Sequence, residues 1–137
     1  MKYGELLIET KEYDMLMQII TMAHHKKDPT YKASMDKLRQ ELKSARIVPI
    51  EKMPDDVVRF NTFVTIQDPF DNIPVYQIVT PEKSNLTEHK VSVLAPMGLA
   101  LFGYAQDDEI MWQFPTGMQA IRILKVEQYP PVNTNAI

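Results

Sequence analysis

The sequence has 137 residues, 45% of them apolar and 24% charged, which is typical of a folded domain rather than a disordered or low-complexity chain. It carries a formal net charge of −3 and contains no cysteine, which excludes disulfides, thiolate zinc sites and cysteine nucleophiles. No apolar run approaches the roughly 20 residues that cross a bilayer, and acidic Glu5 comes too early for a secretory signal, so we expect a cytoplasmic protein with no membrane partner.

Charge is unevenly divided along the chain. The residues up to Met53 hold ten Lys and Arg against eight Asp and Glu, and the rest holds five against ten, so the two parts carry about +2 and −5. A protein that binds nucleic acid along its whole length would need a basic stripe to neutralise phosphates. The distribution therefore favours protein partners and argues against sequence-specific binding to nucleic acid.

Two helices are predicted in the first 50 residues. Thr10 is a candidate N-cap for the first helix, and Asp28 followed by Pro29 is a candidate start for the second. Apolar residues recur at the helical period on one face of each helix: Tyr13, Leu16, Met17, Ile20 and Ala23, then Tyr31, Met35, Leu38, Leu42 and Ala45.

The connection between these helices is short, which predicts an antiparallel hairpin over residues 1–50, a short coiled coil. Its tip would be formed by His24, His25, Lys26, Lys27 and Asp28. Adjacent histidines on a helix point about 100° apart and cannot share one ion, so a metal site at this tip is not expected.

A change of period marks the second half of the chain. Residues 46–54 contain two prolines and no steady period, so we interpret them as a linker. Beyond them a period of two predicts five strands, at residues 60–66, 75–79, 91–95, 110–114 and 120–126.

Turn and helix signals lie between these strands. Asp68–Asn72 is a predicted turn between the first two, and Pro115–Gly117 closes a hairpin between the last two. Proline at the start and glycine at the end predict a short helix from Pro96 to Gly103. The chain is therefore predicted to be α+β, with the helical hairpin followed by an antiparallel β-sheet domain over residues 54–130 that contains one short helix, and a flexible tail over residues 131–137.

Several segments of this second half resemble, in order and spacing, the C-terminal domain of the GreA/GreB family of transcription elongation factors. They are Met53-Pro54-Asp55-Asp56-Val57-Val58, the run from Val91 to Gly103, Asp108-Glu109-Ile110 and the run from Ile123 to Glu127. The first of these segments, the Ala95-Pro96 dipeptide and the short helical part are similar in particular to the Rnk branch, named for the regulator of nucleoside diphosphate kinase. The resemblance covers residues 53–129. For the hairpin it extends only to the layout, two helices placed before the β-rich domain.

The resemblance implies an FKBP-like fold for the second half and bacterial RNA polymerase as the partner, with docking beside the secondary channel and the hairpin pointing inward. In the family, the loop leading into the short helix contributes to the polymerase contact. The matching positions here are Leu94, Ala95 and Pro96, with Met97 and Leu99 as neighbours. Relatives often carry glycine where this chain has Asp107 and Thr116. Because Asp tolerates left-handed backbone, we expect the turn at Asp107 to persist.

Gre factors stimulate transcript cleavage with acidic residues at the tip of a long coiled coil, where carboxylates help to hold a catalytic Mg²⁺. The tip of this chain has one carboxylate, Asp28, among four nitrogen-bearing side chains. Each arm of about 15 residues would also reach only about 22 Å. We therefore expect a non-enzymatic regulator that binds RNA polymerase without transcript cleavage and competes with cleavage factors.

Two other functions stay open. An FKBP-like domain could be a peptidyl-prolyl isomerase with an aromatic pocket, although Trp112, Phe114, Phe60 and Tyr76 fit strand cores equally well. The hairpin seam could instead form a homodimer, because so short a hairpin buries little by itself. The sequence contains neither Gly-x-Ser-x-Gly nor Gly-x-x-x-x-Gly-Lys, so we expect neither nucleophilic catalysis nor a cofactor.

Overall fold

The computed structural model describes residues 2–22, 29–114 and 117–129. Three 3-10 turns lie between the larger elements, at Ile50–Lys52, Pro81–Lys83 and Leu86–Glu88. The helices and strands, in chain order, are β1 (Leu7–Glu9), α1 (Thr10–Met22), α2 (Pro29–Leu42), β2 (Arg46–Val48), β3 (Phe63–Gln67), β4 (Val75–Val79), β5 (Lys90–Ser92), α3 (Pro96–Leu101), β6 (Glu109–Phe114) and β7 (Gly117–Glu127). The chain is therefore α+β, as predicted. None of the helices in the described ranges is long and apolar enough to span a bilayer.

Helices occupy both positions predicted in the first 50 residues. On α1, Leu16 and Ile20 are buried as expected, but Met17 is 36% exposed. On α2, the predicted face is confirmed by the burial of Met35, Leu38 and Leu42. The predicted tip at His24, His25, Lys26, Lys27 and Asp28 lies outside the described residues, so the antiparallel hairpin stays a prediction.

The start of α1 differs from the prediction in its cap. The backbone N–H of Glu12 donates to a carboxylate oxygen of Glu9 at 2.9 Å, which makes Glu9 the capping residue. The hydroxyl of Thr10 donates instead to the carbonyl of Val48 at 3.2 Å. Thr10 therefore ties α1 to the segment that follows α2.

That segment is only partly the linker that was predicted. Arg46–Val48 forms β2, which pairs in parallel with β1. Leu6, Leu7 and Ile8 are buried, and buried backbone groups require hydrogen-bond partners. A three-residue strand is too short to show a period, which is why the sequence pattern missed this pairing.

The remaining five strands form one sheet in the order β5-β4-β3-β7-β6. Strands lie at all five predicted positions, but the prediction of a wholly antiparallel sheet is wrong, since β4 and β5 pair in parallel. Residues 80–89, which contain two of the 3-10 turns, carry the chain back so that both strands run in the same direction. The predicted hairpin is confirmed by the β6–β7 register, in which Phe114 lies opposite Gly117.

Predicted turns between the strands are also confirmed. The Asp68 carboxylate accepts hydrogen bonds from the backbone N–H groups of Phe70 and Asn72, at 2.8 and 2.9 Å. Asp107 has φ +74°, which is the left-handed backbone expected where relatives often have glycine. Gly103, just beyond α3, has φ +85°. The expected tail over residues 131–137 and the turn residues Pro115 and Thr116 lie outside the described residues.

One hydrophobic core joins the two halves of the chain. Its buried residues come from both sides of the expected linker: they include Leu6, Ile8, Leu16, Ile20, Met35, Leu38 and Leu42 from the first half, and Val58, Ile66, Ile78, Leu99, Phe102, Ile110 and Ile123 from the second. An ion pair between Glu12 on α1 and Arg59, with Oε1 and Nε 2.7 Å apart, also connects the halves. The helices therefore lie fixed against the sheet domain.

Candidate protein-docking segment and an adjoining groove

The expected polymerase contact lies where the chain turns from β5 into α3. Residues 94–97, here called the docking segment, are all half-buried: Leu94, Ala95, Pro96 and Met97. Leu99, the fifth expected contact residue, is only 3% exposed and belongs to the core. The structure thus brings four of the five residues together at the surface and leaves Leu99 beneath them.

Hydrogen bonds hold the start of the docking segment in one conformation. The backbone N–H of Leu94 donates to the Ser92 hydroxyl at 3.0 Å, and that of Ala95 donates to the Ser92 carbonyl at 2.9 Å. Val93 donates to the carbonyl of Val79 on β4 at 2.8 Å. The start of the segment is therefore held against Ser92 and β4 by its own backbone hydrogen bonds.

Helix α3 begins directly inside the docking segment. Pro96 occupies its first position, where the missing N–H would have no partner in the helix, and Leu99 N–H closes the first turn on the Ala95 carbonyl at 2.9 Å. A methyl group added at Gly98 would lie 2.1 Å from the Ser92 carbonyl oxygen. Gly98 therefore permits α3 to rest on the backbone of the segment that precedes it.

Ser92 and Gly98 were not identified from the sequence as part of this site. The sequence nevertheless contained a signal for each of these two residues. Ser92 precedes Leu94 by two residues, which is the spacing of a side-chain-to-backbone turn. Gly98 interrupts a predicted helix, and a glycine there usually has a packing reason.

A groove of about 370 Å³ lies beside α3, between α2 and the outer strand β6. We call it the α2–β6 groove. Trp112, expected in the core, is half-buried and lines this groove. The lining residues are Ala33, Lys37, Leu38 and Glu41 of α2, Leu99 and Ala100 of α3, Met111, Trp112 and Gln113 of β6, and Met118 of β7.

A polar network on α2 connects this groove to the sheet domain. The hydroxyl of Tyr104, a residue only 6% exposed, donates to Glu41 Oε1 at 2.7 Å. Burial and the Glu41 carboxylate raise the pKa of the Tyr104 hydroxyl far above its usual range, so it remains a donor. Lys37 lies 3.3 Å from the same Glu41 oxygen. These contacts fix α2 as one wall of the groove.

The described part of the chain contains no group of three His, Asp or Glu side chains that could hold a metal ion. The run from Asp107 to Glu109 serves the fold. The Asp108 carboxylate accepts hydrogen bonds from the backbone N–H groups of Ala105, at 2.8 Å, and of Lys2, at 2.5 Å. It thereby ties the start of the chain to the turn before β6.

Known proteins match this chain both as a family and as individual sequences. Residues 53–128 match the family described as transcription elongation factor, GreA/GreB, C-terminal part. The regulator of nucleoside diphosphate kinase of Escherichia coli (strain K12) is 35% identical over 97 residues, covering 69% of this chain and 71% of that protein. A transcription elongation factor GreA of Syntrophus aciditrophicus (strain SB) is 26% identical over 121 residues, covering 88% of this chain and 70% of its own.

A solved structure is similar over nearly the whole chain. The prokaryotic transcription elongation factor GreA/GreB from Nitrosomonas europaea superimposes with a TM-score of 0.70 at 30% identity, covering 89% of this chain and 97% of the other. The resemblance inferred from the sequence is thereby confirmed.

Proposed function

Because the chain belongs to the GreA/GreB family of transcription elongation factors and is similar to Rnk, we propose that it is a non-enzymatic regulator that binds bacterial RNA polymerase in the cytoplasm. The observation that carries this proposal is the family match over residues 53–128, which contains the docking segment and α3. The names of its relatives describe a regulator and elongation factors.

The proposed contact is the docking segment, with the chain seated beside the secondary channel of the polymerase. Support comes from its backbone hydrogen bonds and from its composition, since Leu94, Pro96 and Met97 offer a partner an apolar, half-buried surface. In this proposal residues 54–130 form an FKBP-like domain, residues 1–50 form a helical hairpin that points into the channel, and residues 131–137 form a flexible tail.

We further propose that this protein does not stimulate transcript cleavage. Helices α1 and α2 have 13 and 14 residues. At 1.5 Å per residue each extends about 20 Å, which is short for reaching a catalytic centre deep in a channel. The chain between them supplies Asp28 as its one carboxylate, against His24, His25, Lys26 and Lys27. Mg²⁺ prefers oxygen ligands, so such a tip would not assist the reaction, and the protein would only compete with cleavage factors for their place on the polymerase.

The docking proposal is tested by a pull-down with purified bacterial RNA polymerase. Pro96→Glu should weaken binding at least about tenfold, since it places a charge in an apolar contact. The variant should stay folded because an acidic residue suits the first turn of a helix. Pro49→Glu, the same exchange at an exposed position, is the matched control and should bind like wild type. Equal binding by both variants would rule out the docking segment.

Stalled elongation complexes test the two further proposals, that the protein does not stimulate transcript cleavage and that it competes with cleavage factors. The wild-type protein should leave the nascent RNA intact, and it should reduce cleavage by an added GreA in proportion to its concentration. RNA shortened by this protein alone would overturn the non-cleaving assignment, and unchanged GreA activity would overturn competition.

A further inference from the structure

Strand β6 forms one edge of the five-stranded sheet, and β5 forms the other. At the opposite edge, β5 is only three residues long and is bridged on its outer side by Asn85, which exchanges two hydrogen bonds of 2.9 Å with Lys90. Strand β6 has six residues, contains neither lysine nor proline, and carries one charged residue, Glu109, at its start. Charged residues and proline are the means by which proteins often protect an edge, so most of β6 lacks that protection. In the described part of the chain, one edge is thus bridged by a further residue, whereas β6 has no further strand on its outer side.

Hydrogen-bonded and non-bonded residue pairs alternate along β6 and β7, and this alternation shows which backbone groups of β6 face outward. Ile123 donates to the carbonyl of Asp108 at 2.9 Å and accepts from the N–H of Asp107 at 2.8 Å, so the Asp108 carbonyl points toward β7. In an antiparallel ladder the bonded pairs alternate, so Ile110 and Trp112 also bond to β7, whereas the N–H and C=O of Met111 point away from it. Within the described ranges, Met111 has no main-chain partner on that outer side.

Residues from both faces of β6 line the α2–β6 groove. Met111, Trp112 and Gln113 all line it, although successive strand residues point to opposite faces of a sheet. A groove that touches both faces of an outermost strand passes around that strand, and so borders the outward N–H and C=O of Met111. Met118 of β7, opposite Gln113, also lines the groove near the hairpin. The opposite wall is α2, with Leu38 and Leu99 between the walls as apolar floor.

We propose that the α2–β6 groove binds an extended segment of a partner protein, which adds to the sheet beside β6 and places an apolar side chain against Trp112. An extended segment has free N–H and C=O groups at the spacing of a strand, which can pair with those of Met111. A helix satisfies its own backbone internally and would leave Met111 unpaired. This surface is separate from the docking segment, since none of residues 94–97 lines the groove.

Trp112 provides the readout, because it is the single tryptophan of the chain. The probe is a blocked seven-residue peptide that alternates threonine with valine or leucine, titrated into the full-length protein without polymerase. Binding should shift the Trp112 emission. The same peptide with N-methyl groups on the amides of one edge keeps its side chains but cannot pair with β6, and it should bind at least tenfold more weakly.

Two substitutions at one position separate main-chain pairing from side-chain contact. Met111→Pro removes the outward N–H without breaking a bond to β7, so the protein should fold but lose binding at least tenfold. Met111→Thr keeps the N–H and should bind the peptide within about threefold of wild type. Circular dichroism checks that both variants are folded.

Three results would overturn the proposal. One is equal binding of the N-methylated and unmodified peptides, which would make the groove a simple apolar pocket. Another is no emission shift at millimolar peptide. The third is a concentration-dependent dimer in sedimentation that Met111→Pro abolishes while the peptide does not compete, which would make a second copy of the chain the occupant.

Discussion

Gly98 links the chemistry of one residue to the shape of the docking segment. Helix propensity alone would favour alanine at this position by about 1 kcal/mol. The structure reverses that preference, since an added methyl group would stand 2.1 Å from the Ser92 carbonyl oxygen and 2.9 Å from the Val93 Cα. Both neighbours are backbone atoms, so they can yield only if the segment itself moves.

Gly98→Ala should therefore destabilise the protein by about 1–3 kcal/mol, the usual effect of overpacking a tight contact. It should also weaken polymerase binding, because relief of the contact displaces Leu94 and Ala95. Thermal unfolding followed by circular dichroism measures the first effect, and the pull-down measures the second. An increase in stability would show that propensity outweighs the contact.

At the scale of elements, the position of α2 depends on polar as well as apolar contacts. Tyr104 precedes β6 in the second half of the chain, and its hydroxyl reaches Glu41 on α2. The Glu41 side chain is 20% exposed, so water could only partly replace the Tyr104 hydroxyl as a hydrogen-bond donor if that hydroxyl were removed. The hydrogen bond therefore holds α2 at the distance from the sheet that forms the α2–β6 groove.

Tyr104→Phe should destabilise the protein by about 1.5 kcal/mol, as expected for a hydrogen bond to a charged group. Tyr76→Phe is the matched control: Tyr76 is half-buried on β4, and its hydroxyl has no hydrogen-bond partner in the described part of the chain. That control should change stability by less than about 0.5 kcal/mol. Chemical denaturation gives both values, and equal effects would contradict the assigned role of the Tyr104 hydroxyl.

At the scale of the whole molecule, the shared core determines how the protein unfolds. Residues of α1 and α2 are buried in the same cluster as residues of the sheet and α3. Neither half retains its packing if the other unfolds, so both should unfold in one transition. Deletion of residues 1–50 would also remove much of this core, which makes point substitutions the better probe of docking.

Leu38→Ala tests this cooperativity from α2, since Leu38 is 2% exposed. It should lower the free energy of unfolding by about 2–5 kcal/mol. Trp112 fluorescence, which reports on the sheet, and far-UV circular dichroism, which reports mainly on the helices, should give the same shifted midpoint. Leu86→Ala, at an 81% exposed position, is the control and should leave the midpoint almost unchanged. Separate midpoints for the two probes would show that the halves unfold independently.

The sequence by itself determined the features that depend on local pattern. Period and turn chemistry were sufficient for the positions of α1, α2, α3 and the five sheet strands, and for the left-handed turn at Asp107. The order and spacing of several short segments, the Ala95-Pro96 dipeptide among them, were sufficient to recognise the family. In each case the signal lies in residues close together in the chain, where backbone preference and side-chain period act directly.

Only the tertiary structure decided the features that join distant segments. The β1–β2 pairing, the parallel direction of β5, the burial of Leu99 and the partial exposure of Met17 and Trp112 all depend on which surfaces meet in the folded chain. The α2–β6 groove has walls from residues 33–41 and 111–118, far apart in sequence. Non-local contacts leave no period in the sequence, because each is selected by packing and hydrogen bonding between whole elements.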